Sequence, residues 1–431
     1  MIDKLDDTPA FSIFKKSALQ DWNSAIAKEL KGKNIEEIFW QNENGFTISP
    51  YSRPDSEQVV PTAAASHWEI QAKCSSDDDL ELNKRILWSL NQGVNSIEIN
   101  LSEIPIARFD NVLKDVKISF ISLSFTEVVL LPELSNWLKN RATLEQVTTS
   151  EIRGSLHPTK NCTPEEIKAF LGEFTSFSLS PSSSVAIHNR GGNAVHELVW
   201  NLTFAHELMF SLDPAVAKET ALRATFAIGN HFYTEIAKLR VFRRLWSKIA
   251  ESYGWNQTIQ IGAETSFFFQ TALDENNNII RSTIQAIAAI SGGADSLRIL
   301  PSDEWSGEWN ENSARIAINI NHLLSEESHL NEYRNAASGS WYLRDLEDNL
   351  ADRAWRSFID WDKYPGMQVH VMQFLSEVKR TKKVRNTEVE TGTRTIIGVN
   401  KYRGQISEKH DRSPVDRLSS FIEEKSREEA Q

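Results

Sequence analysis

Short β-branched, apolar runs alternate with helical stretches through the middle of this chain, and this alternation restricts the fold more than any other feature. Eight runs have strand character: 67–72, 96–101, 118–125, 151–156, 184–188, 222–228, 258–263 and 296–300. Apolar residues at helical spacing mark intervening stretches such as 80–91, 164–174, 193–210 and 231–252. Alternation of this kind produces a parallel sheet with helical crossovers. Eight units in about 240 residues predict a (β/α)8 TIM barrel, with an open doubly wound sheet as the alternative.

Segments of different character flank the predicted barrel, which we assign to residues 61–375. Residues 1–60 contain a predicted helix from Ser17 to Leu30 and an extended stretch, and we expect them to form an N-terminal arm for subunit contacts. Residues 376–431 are predicted to be a C-terminal extension that ends in a charged tail. The basic cluster 379–383 in this extension is expected to be a solvated helix end, with phosphate binding as the alternative.

Composition excludes several classes of protein. The chain has 431 residues and a formal net charge of -12, which argues against a nucleic-acid partner. It has two cysteines, Cys74 and Cys162, with no metal-ligand spacing, as is usual in a reducing compartment. No apolar run reaches the ~20 residues that span a bilayer, and the N-terminus has no apolar signal core. We therefore expect a cytoplasmic protein without a membrane partner.

Several motifs resemble one known family. Residues 336–343, Ala-Ala-Ser-Gly-Ser-Trp-Tyr-Leu, are similar to the Asp-Pro-x-Gly-Gly-Ser-Tyr-Tyr signature of the methylmalonyl-CoA mutase family. Five further segments match that family in the same order along the chain: 226–240, 277–289, 292–297, 313–317 and 397–402. The resemblance implies a barrel that receives an acyl-CoA chain along its axis, and radical chemistry supplied by adenosylcobalamin.

The cofactor-binding part of the family pattern is not found in this sequence. In the family, a flavodoxin-like domain carries an Asp-x-His-x-x-Gly motif whose histidine ligates cobalt, and this motif does not occur here. We therefore expect no cobalamin-binding domain in this chain. Adenosylcobalamin would be bound by a partner subunit.

Two further segments depart from the catalytic members. Residues 185–193 lack the Tyr-His pair of those members and resemble the form found in the non-catalytic small subunit. Residues 264–271 replace a polar substrate-binding run and introduce Phe267, Phe268 and Phe269. Bulky aromatic rings at a barrel mouth are expected to close the pocket, and an apolar wall for another acyl group is the alternative.

The candidate cofactor-binding residues are His188, Asn189, Arg190, Gly191 and Gly192, at the predicted end of the fifth strand. His188 is either an altered site residue or a structural histidine bonded to a loop. The four residues after it could form an anion-binding loop before the next helix. No catalytic residue is predicted.

No metal site is predicted either. Residues 77–79 are acidic, and they fit a helix N-cap better than a cation site. The His-Glu pairs at 196–197 and 206–207 lack the spacing of a zinc helix.

The resemblance implies the role of a small subunit in a heterodimer. It would stabilise the large subunit that interconverts methylmalonyl-CoA and succinyl-CoA, a step in propionate metabolism. A catalytic acyl-CoA mutase barrel that works with a separate cobalamin-binding subunit is the alternative. A homodimeric binding protein without a mutase partner also stays open.

Overall fold

The computed structural model describes residues 19–49, 67–159, 161–181, 183–256, 259–362 and 367–403. The chain divides into two compact units, Met1–Arg53 and Pro54–Gln431. Within the described ranges, no helix is long and apolar enough to cross a membrane.

Residues 19–49, the described part of the first unit, form one α-helix, a short 3-10 helix (Ile35–Ile38) and a small hairpin. Helix α1 spans Leu19–Glu29, and strands β1 (Trp40–Gln41) and β2 (Thr47–Ile48) pair in antiparallel fashion. The helix agrees with the prediction, although Ser17 lies outside the described residues. Trp40 is 41% exposed, which is unusual for a side chain of this size.

The second unit is built on a closed barrel of eight parallel strands, which confirms the predicted (β/α)8 fold. The last strand pairs with both the first and the seventh, so the sheet has no free edge. The strands are β3 (Glu69–Lys73), β4 (Ser96–Asn100), β5 (Ser122–Val128), β6 (Arg153–Pro158), β7 (Phe177–Leu179), β8 (Leu222–Ile228), β9 (Ile259–Thr265) and β10 (Ser296–Arg298).

Helices connect these strands and extend beyond the last one. They are α2 (Asp79–Asn91), α3 (Phe109–Val112), α4 (Leu131–Glu145), α5 (Pro164–Glu173), α6 (Val185–Asn189), α7 (Ala194–Ser211), α8 (Pro214–Glu219), α9 (Phe232–Tyr253), α10 (Glu275–Ser291), α11 (Glu311–His322), α12 (Trp341–Asp362) and α13 (Met367–Glu390). Asp78 caps α2 as predicted, because its carboxylate accepts a hydrogen bond of 2.8 Å from the Glu81 amide.

The prediction for the fifth strand is wrong. Residues 184–188 form most of the short helix α6, and the strand is the three-residue β7 that precedes it. The backbone amide of His188 bonds to the Ser184 carbonyl at 3.0 Å, which is helical pairing. His188 therefore lies in a helix that follows the strand, not at the end of the strand itself.

The prediction for the basic cluster 379–383 is also wrong in its placement. The cluster lies inside α13, which continues to Glu390. The same helix crosses residue 375, where the sequence suggested the end of the barrel domain.

Candidate functional site

Polar side chains face the axis of the barrel. Along β4, Glu98 and Asn100 line an axial cavity, whereas Ile97 and Ile99 alternate with them and are buried outside it. This period of two is repeated in neighbouring strands, where Ser124 alternates with buried apolar residues. Most barrels of this type fill the axis with bulky branched residues. Small hydroxyl side chains leave space there instead.

The resulting cavity has a volume of about 1200 Å³ and extends from the axis to the loops that follow the strands. This is the face on which (β/α)8 barrels carry their binding sites. Most of its lining is polar. Serines on adjacent strands are hydrogen-bonded across the wall, with Ser155 Oγ 3.0 Å from Ser124 Oγ. The cavity is thus suited to a polar ligand rather than an apolar one.

Arg223 forms the floor of this cavity. It lies near the start of β8, and its Nη2 donates to Gln71 Oε1 at 3.3 Å and to Ser296 Oγ at 2.5 Å on two other strands. The side chain therefore reaches across the barrel. Burial lowers the pKa of Arg223, and the more distant carboxylates of Glu69 and Glu98 oppose that shift.

Glu98 lies on the wall above this floor. Its Oε2 accepts a hydrogen bond of 3.3 Å from Gln71 Nε2. Among the described residues, no basic side chain is within ion-pair distance of this carboxylate. Gln71 consequently bridges a buried cation and a carboxylate, with its carbonyl toward Arg223 and its amide nitrogen toward Glu98.

A paired arginine lies on β10, two strands from Glu98 around the barrel. Arg298 binds Glu264 at 2.6 Å and Glu304 at 3.2 Å. Burial alone would lower the pKa of Arg298, but the nearby carboxylates raise it above its ordinary value. Burial raises the pKa of Glu264, against the effect of Arg298. The positive charge of Arg298 is therefore already compensated by protein carboxylates.

His157 lies at the end of β6 and also lines the cavity. Burial lowers its pKa, and the carboxylates of Glu127 and Glu98 oppose this shift. A neutral imidazole at this position can accept or donate a hydrogen bond.

The structure separates the five predicted site residues. His188 is buried and turned away from the cavity, with Nδ1 3.0 Å from Glu197 Oε1 and Nε2 2.7 Å from Ser266 Oγ. Of the five, Asn189 alone lines the cavity. Both contacts lie within the protein, which is compatible with the interpretation of His188 as a structural histidine.

Glu197 holds His188 within a buried charge network. Lys238 Nζ lies 2.8 Å from the same carboxylate, and it also pairs with Glu235 at 2.5 Å. Burial alone would raise the pKa of Glu197, but Lys238 and His188 lower it. Because both ring nitrogens of His188 are engaged, this residue does not fit the role of a cobalt ligand.

The backbone amides and carbonyls of Gly191 and Gly192 bond to other groups of the protein. The amides bond to the carbonyls of His188 and Ile187, at 2.8 and 2.9 Å. The carbonyls accept bonds from Arg385 Nη1 at 3.3 and 3.1 Å. An anion-binding loop presents free amides, so this geometry does not support one here. The cofactor assignment for these residues stays a prediction.

The three phenylalanines do not close the barrel, contrary to expectation. Phe267, Phe268 and Phe269 pack against Leu300 and a buried cluster at the end of α13 and just beyond it, which consists of Val389, Ile396 and Val399. Of the three, only Phe267 also lines the cavity. Phe268 and Phe269 are outside the cavity lining and pack on the C-terminal segment, so the three rings do not fill the cavity.

Sequence reasoning missed the residues that line the axis, including Arg223, Gln71, Glu98 and His157. In the sequence, these residues belong to a pattern with a polar residue at every second position of each strand. That pattern usually indicates a strand face exposed to solvent. In a closed barrel the same alternation marks the interior.

Comparison with known proteins agrees with this architecture. The profile of the family described as methylmalonyl-CoA mutase matches residues 173–430. The chain belongs to the methylmalonyl-CoA mutase family. The match covers the barrel from before β7 onward, including the segments at 226–240 and 277–289 that carry the sequence resemblance.

Relatives in the mutase family extend the match toward the N-terminus. The methylmalonyl-CoA mutase small subunit of Porphyromonas gingivalis is 25% identical over 91% of this chain and 71% of its own length. The mitochondrial methylmalonyl-CoA mutase of Bos taurus is 26% identical over 93% of this chain. The chain spans 62% of that relative's length. The small subunit of Streptomyces virginiae is 28% identical over 69% of this chain and 52% of its own length.

The similarity to solved DHPS structures is low. A DHPS structure from Yersinia pestis aligns with a TM-score of 0.33 and 10% identity, over 63% of this chain and 99% of that chain. This level of similarity does not bear on function.

Proposed function

We propose that this chain is a non-catalytic small subunit of an adenosylcobalamin-dependent methylmalonyl-CoA mutase. It would pair with, and stabilise, a large subunit that interconverts methylmalonyl-CoA and succinyl-CoA. The observation that carries the proposal is the match over 91% of this chain to a relative named as a small subunit. Because a mitochondrial mutase is equally similar, the assignment also needs support from the site.

The barrel mouth supplies that support. The histidine that stands in the segment of the family's Tyr-His pair is His188, and its ring nitrogens are occupied by Glu197 and Ser266. A general acid must reach its substrate through a free ring nitrogen. Because both ring nitrogens of His188 are bonded inside the protein, this residue is not available as an acid-base group. This favours a barrel that is not catalytic.

The N-terminal unit is proposed to contact the large subunit. Its exposed side chains include Trp40 and Ile38, which are 41% and 36% exposed. Large apolar residues of this kind are enriched at the centres of protein interfaces. In this arrangement adenosylcobalamin would be bound by the large subunit in the cytoplasm.

One observation favours the alternative, a catalytic barrel that acts with a separate cobalamin-binding subunit. The cavity of about 1200 Å³ is large enough for a substrate, and it is lined by titratable groups such as His157 and Glu98.

Co-expression with the candidate large subunit distinguishes the two functions. Mutase turnover would be measured for each chain alone and for both together, with adenosylcobalamin present. The small-subunit proposal predicts co-purification and no turnover by this chain alone. Turnover by this chain with only a cobalamin-binding subunit would overturn it and establish the alternative.

A further inference from the structure

The floor of the axial cavity holds a buried cation without a close counter-ion. Arg223 is 5% exposed, and its two hydrogen-bond acceptors, Gln71 and Ser296, are neutral. Within the described part of the chain, no carboxylate lies within ion-pair distance of it. Buried charges in proteins are usually paired, because an unpaired charge costs several kcal/mol to remove from water. The guanidinium group therefore has unused capacity for an anion.

The wall above the floor holds the complementary group. Glu98 carries a negative charge into the cavity and receives one neutral hydrogen bond, from Gln71. Lys73 on the neighbouring strand pairs with Glu103 at 3.4 Å instead. Glu98 thus has unused capacity for a cationic donor.

Gln71 sets the spacing between these two charges. Its carbonyl oxygen accepts from Arg223 at 3.3 Å, and its amide nitrogen donates to Glu98 at 3.3 Å. One side-chain amide thus separates the cation from the carboxylate. A ligand that lay beside Gln71 would need an anionic group and a cationic group separated by only a few bonds.

The charge of the whole cavity disfavours a polyanion. Its lining contains seven acidic side chains against four basic ones, so a polyanion would be repelled. A simple cation would leave Arg223 unpaired. A ligand with one charge of each sign satisfies both groups.

We propose that the axial cavity binds a small zwitterionic amino acid, with its carboxylate on Arg223 and its ammonium group on Glu98. The hydroxyl groups of Ser124 and Ser155 supply hydrogen bonds around the ligand. This binding site goes beyond the proposed subunit role and does not depend on it.

Isothermal titration calorimetry on the full chain tests the proposal. The probes are glycine, 3-aminopropanoate, 4-aminobutanoate and 6-aminohexanoate, which carry the same two charges at increasing separation. Butanoate and 1-aminobutane are the controls with a single charge each. We expect at least one zwitterion to bind roughly tenfold more tightly than either control, or better, since both charged groups contribute.

Three variants assign the contacts. Glu98→Gln keeps the shape of the wall and should weaken the best zwitterion by roughly tenfold or more, as should Arg223→Gln. Glu308→Gln removes an exposed carboxylate from the outer part of the same cavity and should leave the affinity unchanged. Circular dichroism shows whether each variant is folded, and if Arg223→Gln is not, Glu98→Gln decides. The proposal is overturned if no zwitterion binds, if a control binds as tightly, or if Glu98→Gln binds like the wild type.

Discussion

Nδ1 of His188 lies 3.0 Å from Oε1 of Glu197, and this contact places the histidine in a buried charge network. The same carboxylate oxygen receives Lys238 Nζ at 2.8 Å, from a side chain with no exposed surface. The network joins α6, α7 and α9 behind the barrel wall, so its first consequence is for stability.

Lys238→Met should lower the free energy of unfolding by about 3–5 kcal/mol, because Glu197 and Glu235 would stay buried after losing their cation. Urea unfolding at pH 7 measures this loss. Lys168→Met is the matched control, since Lys168 pairs with Asp213 at 2.8 Å on the surface. Its unfolding midpoint should stay close to that of the wild type. Equal losses in the two variants would contradict the assigned importance of the buried network.

The stability of the chain should fall as the pH drops from 7 to 4, partly through His196. Burial, together with Arg385, lowers the pKa of His196 from 6.5 to about 4. Between these values the unfolded chain binds a proton that the folded chain does not, so protonation favours unfolding. His196 would contribute a loss of about 3 kcal/mol over this range.

His196→Gln tests this contribution, because glutamine preserves an acceptor for the Asn193 amide, which now lies 3.2 Å from His196 Nδ1. The difference in unfolding free energy between pH 7 and pH 4 should be about 3 kcal/mol smaller in the variant. Parallel pH curves for the two proteins would count against the role of His196.

Two glycines offer opposite outcomes for the same substitution. A Cβ atom at Gly154 in β6 would lie 2.0 Å from the Leu123 carbonyl oxygen, whereas one at Gly172 in α5 would meet nothing within 4 Å. Gly154→Ala should cost more than about 3 kcal/mol of stability, because the barrel wall would have to open. Gly172→Ala should gain about 0.5–1 kcal/mol through helix propensity. Chemical denaturation of both variants checks the pair, and a stable Gly154→Ala protein would show that the barrel wall can shift.

The proposed arm contact is tested at Trp40. Trp40→Ser should weaken association with the large subunit by roughly 30-fold, the effect of a lost interface anchor of about 2 kcal/mol. Phe120→Ser is the control on the barrel unit, since Phe120 is 71% exposed. Surface plasmon resonance against the immobilised large subunit gives both affinities. If Phe120→Ser has the larger effect, the arm is not the main contact.

The fold could be predicted from sequence because local patterns specify most of its elements. Helix α9 has its apolar residues at helical spacing, and this spacing predicts its bounds within one residue at each end. The prediction of the fifth strand failed because β7 has only three residues, which are too few to show a period of two. The apolar run 184–188 nearby resembled a strand, but its tertiary setting makes it helical.

The site could be predicted far less well, because it depends on which side of each strand faces the axis. Arg223 and Glu98 are more than 100 positions apart in the chain, and only the closure of the barrel brings both beside Gln71. The prediction that Phe267 and its neighbours would fill the mouth named the right segment. It failed because ring direction depends on the turn after β9 and on the segment beyond α13.

The serine-lined axis changes how this barrel can evolve. Ser124 and Ser155 bury little apolar surface, so the free energy of folding comes mostly from the layer between strands and helices, where Leu123 and Phe125 are fully buried. Substitutions along the axis should therefore alter ligand preference at small thermodynamic cost. A paralogue that no longer catalyses the original reaction could therefore acquire a different ligand at the axis, because the outer layer maintains the stability of the fold.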